Sequence, residues 1–278
     1  MRSEVASTKV RPPAVAGLFY PDDPSELRDA VSEHLRQAPA VNGSARPKAL
    51  IVPHAGYIYS GGIAGAAYAQ VAHRGREIRR IVLIGPSHRV YLRGMAVPAA
   101  EVFQTPLGRV PIDLELKARL LAQDRAIESD TPHASEHSLE VQLPFLQLLF
   151  EDFSLLPLAL GSVPPQGVAA ALADVWGGEE TLVLVSSDLS HYLPYDAARD
   201  ADSQTIAAIV RHEPTLSGDQ ACGCIGINGL SLLARQRGLD IAEIARCNSG
   251  DTAGDRMRVV GYAAFALHEH ESRSAATS

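Results

Sequence analysis

Three histidines follow three short apolar runs. Ile51-Val52 leads into Pro53-His54-Ala55-Gly56, and Leu83-Ile84 leads into Gly85-Pro86-Ser87-His88. Leu184-Val185 leads into Ser186-Ser187-Asp188-Leu189-Ser190-His191. Neutral imidazole ligates divalent metals, and its ordinary pKa of about 6.5 suits proton transfer near neutral pH. Small residues and prolines keep the backbone close and rigid at each of these points. Asp188 stands three residues before His191. It is placed to orient an imidazole by a hydrogen bond or to cap the following segment, and spacing leaves both roles open.

Other residues carry weaker signals. In Ala221-Cys222-Gly223-Cys224-Ile225-Gly226, glycines beside a thiol allow close backbone approach, and a helix is predicted just after. A helix N-terminus lowers a thiol pKa. A small buried hydrophobe is the favoured reading for Cys224, while spacing decides nothing for Cys222. Cys247 reads as structural. Glu136-His137-Ser138-Leu139-Glu140 is predicted to open an amphipathic helix. His137 and Glu140 then share a face, either lining a cleft or serving as first-turn polar residues. Ser249-Gly250-Asp251 and Gly254-Asp255 form a turn-rich loop. Its carboxylates could face a ligand, although a solvated loop is the simpler account.

The elements that must hold these residues follow from the apolar pattern. Ala49 to Val52, Arg80 to Ile84 and Thr181 to Val185 are short, continuous and rich in β-branched residues, and Phe153 to Leu160 is a leucine-rich apolar run; all four read as strands buried on both faces. Helical patterns span Gly62 to Val71, Leu114 to Leu121, Leu139 to Phe150, Pro165 to Trp176, Thr205 to Val210 and Ile227 to Leu233. Arg258 to Leu267 reads as a last strand. The alternation predicts one α/β domain over residues 10–270, with a mainly parallel or mixed central sheet and helices on both faces. Residues 1–9 and 271–278 read as flexible termini, and Pro39 to Pro47 as a loop. In such a sheet, ligands bind beyond the carboxyl ends of the strands, where all three histidines fall.

A chain of 278 residues with 46% hydrophobic residues folds without disulfides or a structural metal. The net charge of −7 and the lack of a basic stripe argue against nucleic-acid and membrane-surface binding. Three cysteines, no apolar leader and no long apolar run predict reduced thiols in a cytoplasmic protein.

The motifs taken together resemble the Memo family, known in prokaryotes as AmmeMemoRadiSam system protein B. The matching segments are Arg11 to Pro21, Pro53 to Gly61, Gly85 to His88, Glu136 to Glu140, Ser186 to Tyr192, Cys222-Gly223, Ser249 to Asp251 and Val259 to Tyr262. The resemblance implies a fold similar to the class III extradiol dioxygenases, which use non-haem Fe(II). It implies His54 and His88 as metal ligands and His191 as the acid–base histidine, with Asp188 beside it. Cys222 matches a cysteine that the family places near the dioxygenase carboxylate. A thiolate is softer than a carboxylate and favours copper or zinc. The implied cofactor is therefore Fe(II) or copper, with zinc ranked behind them. Tyr57, His137, Glu140 and Asp251 are the candidate substrate contacts. The leading expectation is a metal-dependent oxidoreductase. The alternatives are a peptide- or small-anion-binding protein, with Tyr57, Tyr59 and Arg89 flanking the histidines, and a zinc-type hydrolase. Radical-SAM and AMMECR1-like proteins are the implied partners.

Overall fold

The computed structural model describes residues 8–40 and 46–269. β1 (Val10–Arg11) is followed by α1 (Pro24–Arg36), whose N-cap Asp23 accepts from the backbone N–H groups of Ser25 and Glu26. β2 (Pro47–Val52) is buried throughout and leads into α2 (Tyr57–Ala69). A Cβ on Gly65 would sit 2.4 Å from the His34 carbonyl oxygen, so glycine is what lets α2 lie tight on α1. β3 (Arg80–Pro86), β4 (Met95–Val97), β5 (Val102–Thr105) and β6 (Gly108–Pro111) come next. Then follow α3 (Leu114–Ala122), β7 (Ile127–Glu128), α4 (Thr131–Ala134) and α5 (Leu143–Leu149). β8 (Ser154–Leu160), α6 (Pro165–Asp174), β9 (Thr181–Ser186) and β10 (His191–Leu193) continue the alternation. The chain closes with α7 (Tyr195–Val210), α8 (Cys224–Arg237), β11 (Asp240–Asn248) and β12 (Val259–His268).

The main sheet runs β10-β12-β2-β9-β3-β8-β4-β7, with β11 on β12. β2, β9, β3 and β8 are mutually parallel, while β12 and β4 flank them antiparallel. The sheet is mixed, as predicted. Alternate residues of each central strand face opposite layers. Ile51, Val82, Val183 and Val185 meet Val168, Leu172, Ile227 and Leu230 of α6 and α8. Leu50, Val52, Leu83 and Leu184 belong instead to the layer built with Leu27, Ala64 and Leu146 of α1, α2 and α5. Burial on both faces is why these strands read as unbroken apolar runs.

Several boundaries differ from the sequence reading. The helix expected from Glu136 begins later: residues up to Leu139 are non-helical, Glu140–Gln142 form a 3-10 turn, and α5 starts at Leu143. The expected Thr205–Val210 helix is only the end of α7, whose first turns carry mostly exposed polar residues. α1 and β11 were not predicted; the exposed positions of β11 weaken its apolar pattern. Lys9 is not frayed, because its carbonyl accepts from Glu101 and its ammonium pairs with Asp130. Residues 1–7 and 271–278 of the expected flexible termini, and residues 41–45 of the expected loop, lie outside the described residues.

His133 of α4 makes stability sensitive to acid. It is buried, with Nε2 3.0 Å from the Ala96 carbonyl and no partner for Nδ1 among the described residues. Burial lowers its pKa to about 4. The unfolded chain takes up this proton near pH 6.5 and the folded chain does not, so the contribution is complete above that pH and lost as pH falls towards 4. About 2 kcal/mol should be gone by roughly pH 5. Denaturant titrations at neutral and mildly acidic pH should show a smaller loss in His133→Gln than in wild type. An equal loss in both would remove His133 from the account.

Candidate metal centre

β2, β9 and β3 lie side by side, and their carboxyl ends open on one edge. His54, Asp188 and His88 each stand two residues beyond one of these ends. α8 brings Cys222 to the same place through Gly223, where a Cβ would lie 2.6 Å from the Ser186 carbonyl oxygen. These residues, with His137, His191 and Tyr192, line a cleft of about 800 Å³. One ligand atom from each of His54, His88 and Cys222 lies within 4.8 Å of the others, a grouping able to hold a metal ion.

The hydrogen bonds assign the imidazole tautomers. His88 Nδ1 lies 2.9 Å from Glu136 Oε1, and the other Glu136 oxygen accepts from the His88 backbone N–H at 2.6 Å. Burial would raise the Glu136 pKa, but His88 and the Ser138 N–H bring it to about 2. An ionised carboxylate only accepts, so His88 Nδ1 carries the proton. His54 Nδ1 lies 2.9 Å from Ser186 Oγ, whose one proton goes to the Ser138 carbonyl at 2.6 Å. Ser186 Oγ therefore accepts from His54. His191 Nδ1 lies 2.8 Å from the Leu189 carbonyl, which also only accepts. All three rings thus carry a proton on Nδ1, which leaves Nε2 as the nitrogen that can meet a metal ion. His54 Nε2 is 3.2 Å from Cys222 Sγ.

The electrostatics suit neutral donors. Burial, reinforced by the neighbouring histidines, holds His54 well below its ordinary pKa. Burial also lowers His191, and brings His137 to about 4. The Cys222 thiol is pushed upward, first by burial and then by Asp188. That reverses the lowering expected from the start of α8: the site is too enclosed for the helix terminus to prevail. Burial raises Asp188 to about 7 even though it accepts hydrogen bonds from backbone N–H groups.

Asp188 takes neither role the sequence left open. Its Oδ1 accepts the His54 backbone N–H at 2.7 Å, and its own N–H donates to Cys222 Sγ at 3.3 Å. It ties the β2 end to Cys222, while the Leu189 carbonyl orients His191. His137 lines the cleft as expected, stacked 4.7 Å from His88 and edge-on to His54 at 5.3 Å.

Three expected substrate contacts lie elsewhere. Tyr57 starts α2 and turns into the core, where its hydroxyl donates to the Val141 carbonyl at 2.8 Å. Glu140 is fully buried, paired with Arg11, and accepts from the Ala14 and Val15 N–H groups and the Tyr20 hydroxyl. The late helix start removes the face it was expected to share with His137. Asp251 accepts from the Tyr195 hydroxyl and the Asn248 N–H, and lines a different cavity. Cys224 packs among apolar residues, as favoured.

Glu136 and Ser186 were missed. Both lie inside quoted motifs, but no periodicity marks a side chain that acts through its neighbour's ring. Carboxylates behind a metal-binding imidazole support affinity by about 10–100-fold. Glu136→Gln should therefore weaken metal binding by about that factor in competition titrations, with the fold retained. Unchanged affinity would show that the His88 tautomer does not depend on this carboxylate.

Known proteins resemble this chain over most of its length. The family model for Memo-like proteins matches residues 11–266. A MEMO1 family protein of Aquifex aeolicus (strain VF5) is 36% identical over 271 residues, covering 91% of this chain and 97% of the relative. One from Ignicoccus hospitalis is 36% identical over 280 residues, covering 92% of this chain and 97% of the relative. Among solved structures, an uncharacterized protein of Escherichia coli K12 aligns with a TM-score of 0.52 at 15% identity, covering 78% of this chain and 98% of its own. That likeness concerns the fold alone.

Proposed function

This chain belongs to the family of Memo-like proteins, and from that premise we propose that His54, His88 and Cys222 form a metal-dependent redox centre. The observation that supports it is the convergence of three donors, with the Nδ1 protons of His54 and His88 leaving Nε2 of each to meet a metal ion. A soft thiolate beside two imidazoles suits copper or iron better than a hard cation. When bound, such an ion supplies electron transfer and Lewis acidity to a ligand in the cleft.

The surrounding residues prepare that ligand. His191 is not needed in the donor set, and its Nε2 is the base that accepts a proton from the bound molecule. The Leu189 carbonyl keeps it in the required tautomer. Asp188 holds the His54 backbone and Cys222 together, and a carboxyl poised near neutrality exchanges a proton beside them. His137 contacts the ligand from the ring stack on His88.

Metal analysis of protein purified without chelators tests the reading. Wild type should carry about one iron or copper per chain, and His54→Ala/His88→Ala should lose it. Equal metal in both proteins overturns the centre. The same donors also suit zinc; a zinc-only protein would move the reading to hydrolysis by a bound water.

A further inference from the structure

A second cavity, of about 560 Å³, shares no lining residue with the histidine cleft. One wall is a single stripe of α7, comprising Tyr195, Arg199, Asp202, Ser203 and Ile206; the end of β11 and Tyr262 close the other side. Its volume is ordinary for a small-molecule site.

Asp202 is the unusual group. It is 6% exposed, and no lysine, arginine or histidine forms an ion pair with it among the described residues. One carboxylate oxygen, Oδ1, accepts the Ser190 N–H at 3.0 Å. Oδ2 fits only because residue 261 is glycine: a Cβ there would lie 1.9 Å from it. Carboxylates this enclosed are normally paired, because isolated burial of a charge is costly.

The other charges are arranged around it. Asp251 is already engaged by Tyr195 and Asn248. Burial pushes the Cys247 thiol up to about 12, so it adds no negative charge. Arg199 is exposed, lies over the Tyr195 ring at 5.8 Å, and makes no ion pair among the described residues. Arg246 is exposed too, bonded to Ser203 and paired with Glu243. Arg246 and His191 lie near enough to favour the Asp202 charge, and Arg199 and Arg256 near enough to favour that of Asp251, but neither Asp202 nor Arg199 forms a close ion pair among the described residues.

We propose that this cavity binds a small zwitterion, an α-amino acid, with its ammonium on Asp202 and its carboxylate on Arg199. Opposite charges on one wall of the cavity suit that class. A simple anion gives Asp202 no close cation, and a simple amine gives Arg199 no close anion.

The test uses the full-length protein and the proteinogenic L-amino acids at millimolar concentration, read by thermal shift and then by calorimetry. At least one should raise the melting temperature and bind. Its decarboxylated amine and its deaminated acid should each bind about tenfold more weakly, or worse. Asp202→Asn keeps an acceptor for the Ser190 N–H and removes the charge; Arg199→Gln removes the other. Each should weaken binding by about tenfold or more. No binding by any amino acid overturns the proposal. So does affinity unchanged in Arg199→Gln, a surface variant that avoids the buried carboxylate. None of these readouts involves the metal, so failure here leaves the metal centre standing.

Discussion

Glu140→Ala is expected to destabilise the protein by about 3–5 kcal/mol, the usual cost of leaving one half of a buried ion pair uncompensated. Glu140 is fully buried and Arg11 is 5% exposed. The substitution strands the Arg11 guanidinium together with the Ala14 and Val15 N–H groups and the Tyr20 hydroxyl. These groups pin the segment before α1 to the turn before α5, and Phe19 of that segment packs 4.7 Å from His137. Denaturant unfolding measures the loss. Arg11→Met/Glu140→Leu should be less destabilising than the two single changes added together, since it leaves no isolated charge. A loss below about 1 kcal/mol in Glu140→Ala would mean that water replaces the carboxylate, contradicting its burial.

Cys222→Ser should weaken metal binding by more than the roughly 10–100-fold expected for an outer partner such as Glu136, because Cys222 is a proposed ligand itself. It should also change which metals bind. The thiolate is the soft donor of the set, so preference for copper over manganese or magnesium should fall when oxygen replaces sulfur. The substitution is small. The Asp188 N–H, now 3.3 Å from sulfur, retains an acceptor, so the fold should tolerate it. Competition between metals, measured in wild type and variant, gives both numbers. Unchanged affinity and preference would take Cys222 out of the donor set.

The histidines were legible because the fold makes their context regular. β2, β3 and β9 are buried on both faces, so their sequences are apolar throughout, and the first polar residues beyond mark the sheet edge. His54, His88 and His191 inherit their meeting place from that edge, and Cys222 was drawn to it by resemblance alone. The errors have one cause. Tyr57 and Glu140 lie within motifs that touch the site, and motif membership does not say which way a side chain turns. Tyr57 turns inward with the first turn of α2. Glu140 turns towards Arg11, 129 residues away in sequence, a contact no local pattern reveals. The tautomers were equally hidden, because they depend on Glu136, Ser186 and Leu189 meeting particular ring nitrogens.

X-ray absorption at the metal edge, on protein purified without chelators, tests the central claim most directly. Two imidazole nitrogens at about 2.0–2.1 Å and one sulfur near about 2.3 Å are the ligand distances a first-row ion such as zinc shows to these donors, and the spectrum should resemble them. The sulfur should disappear in Cys222→Ser, and the metal itself in His54→Ala/His88→Ala. A wild-type spectrum with only oxygen neighbours, or one unaltered by these substitutions, would contradict the metal centre.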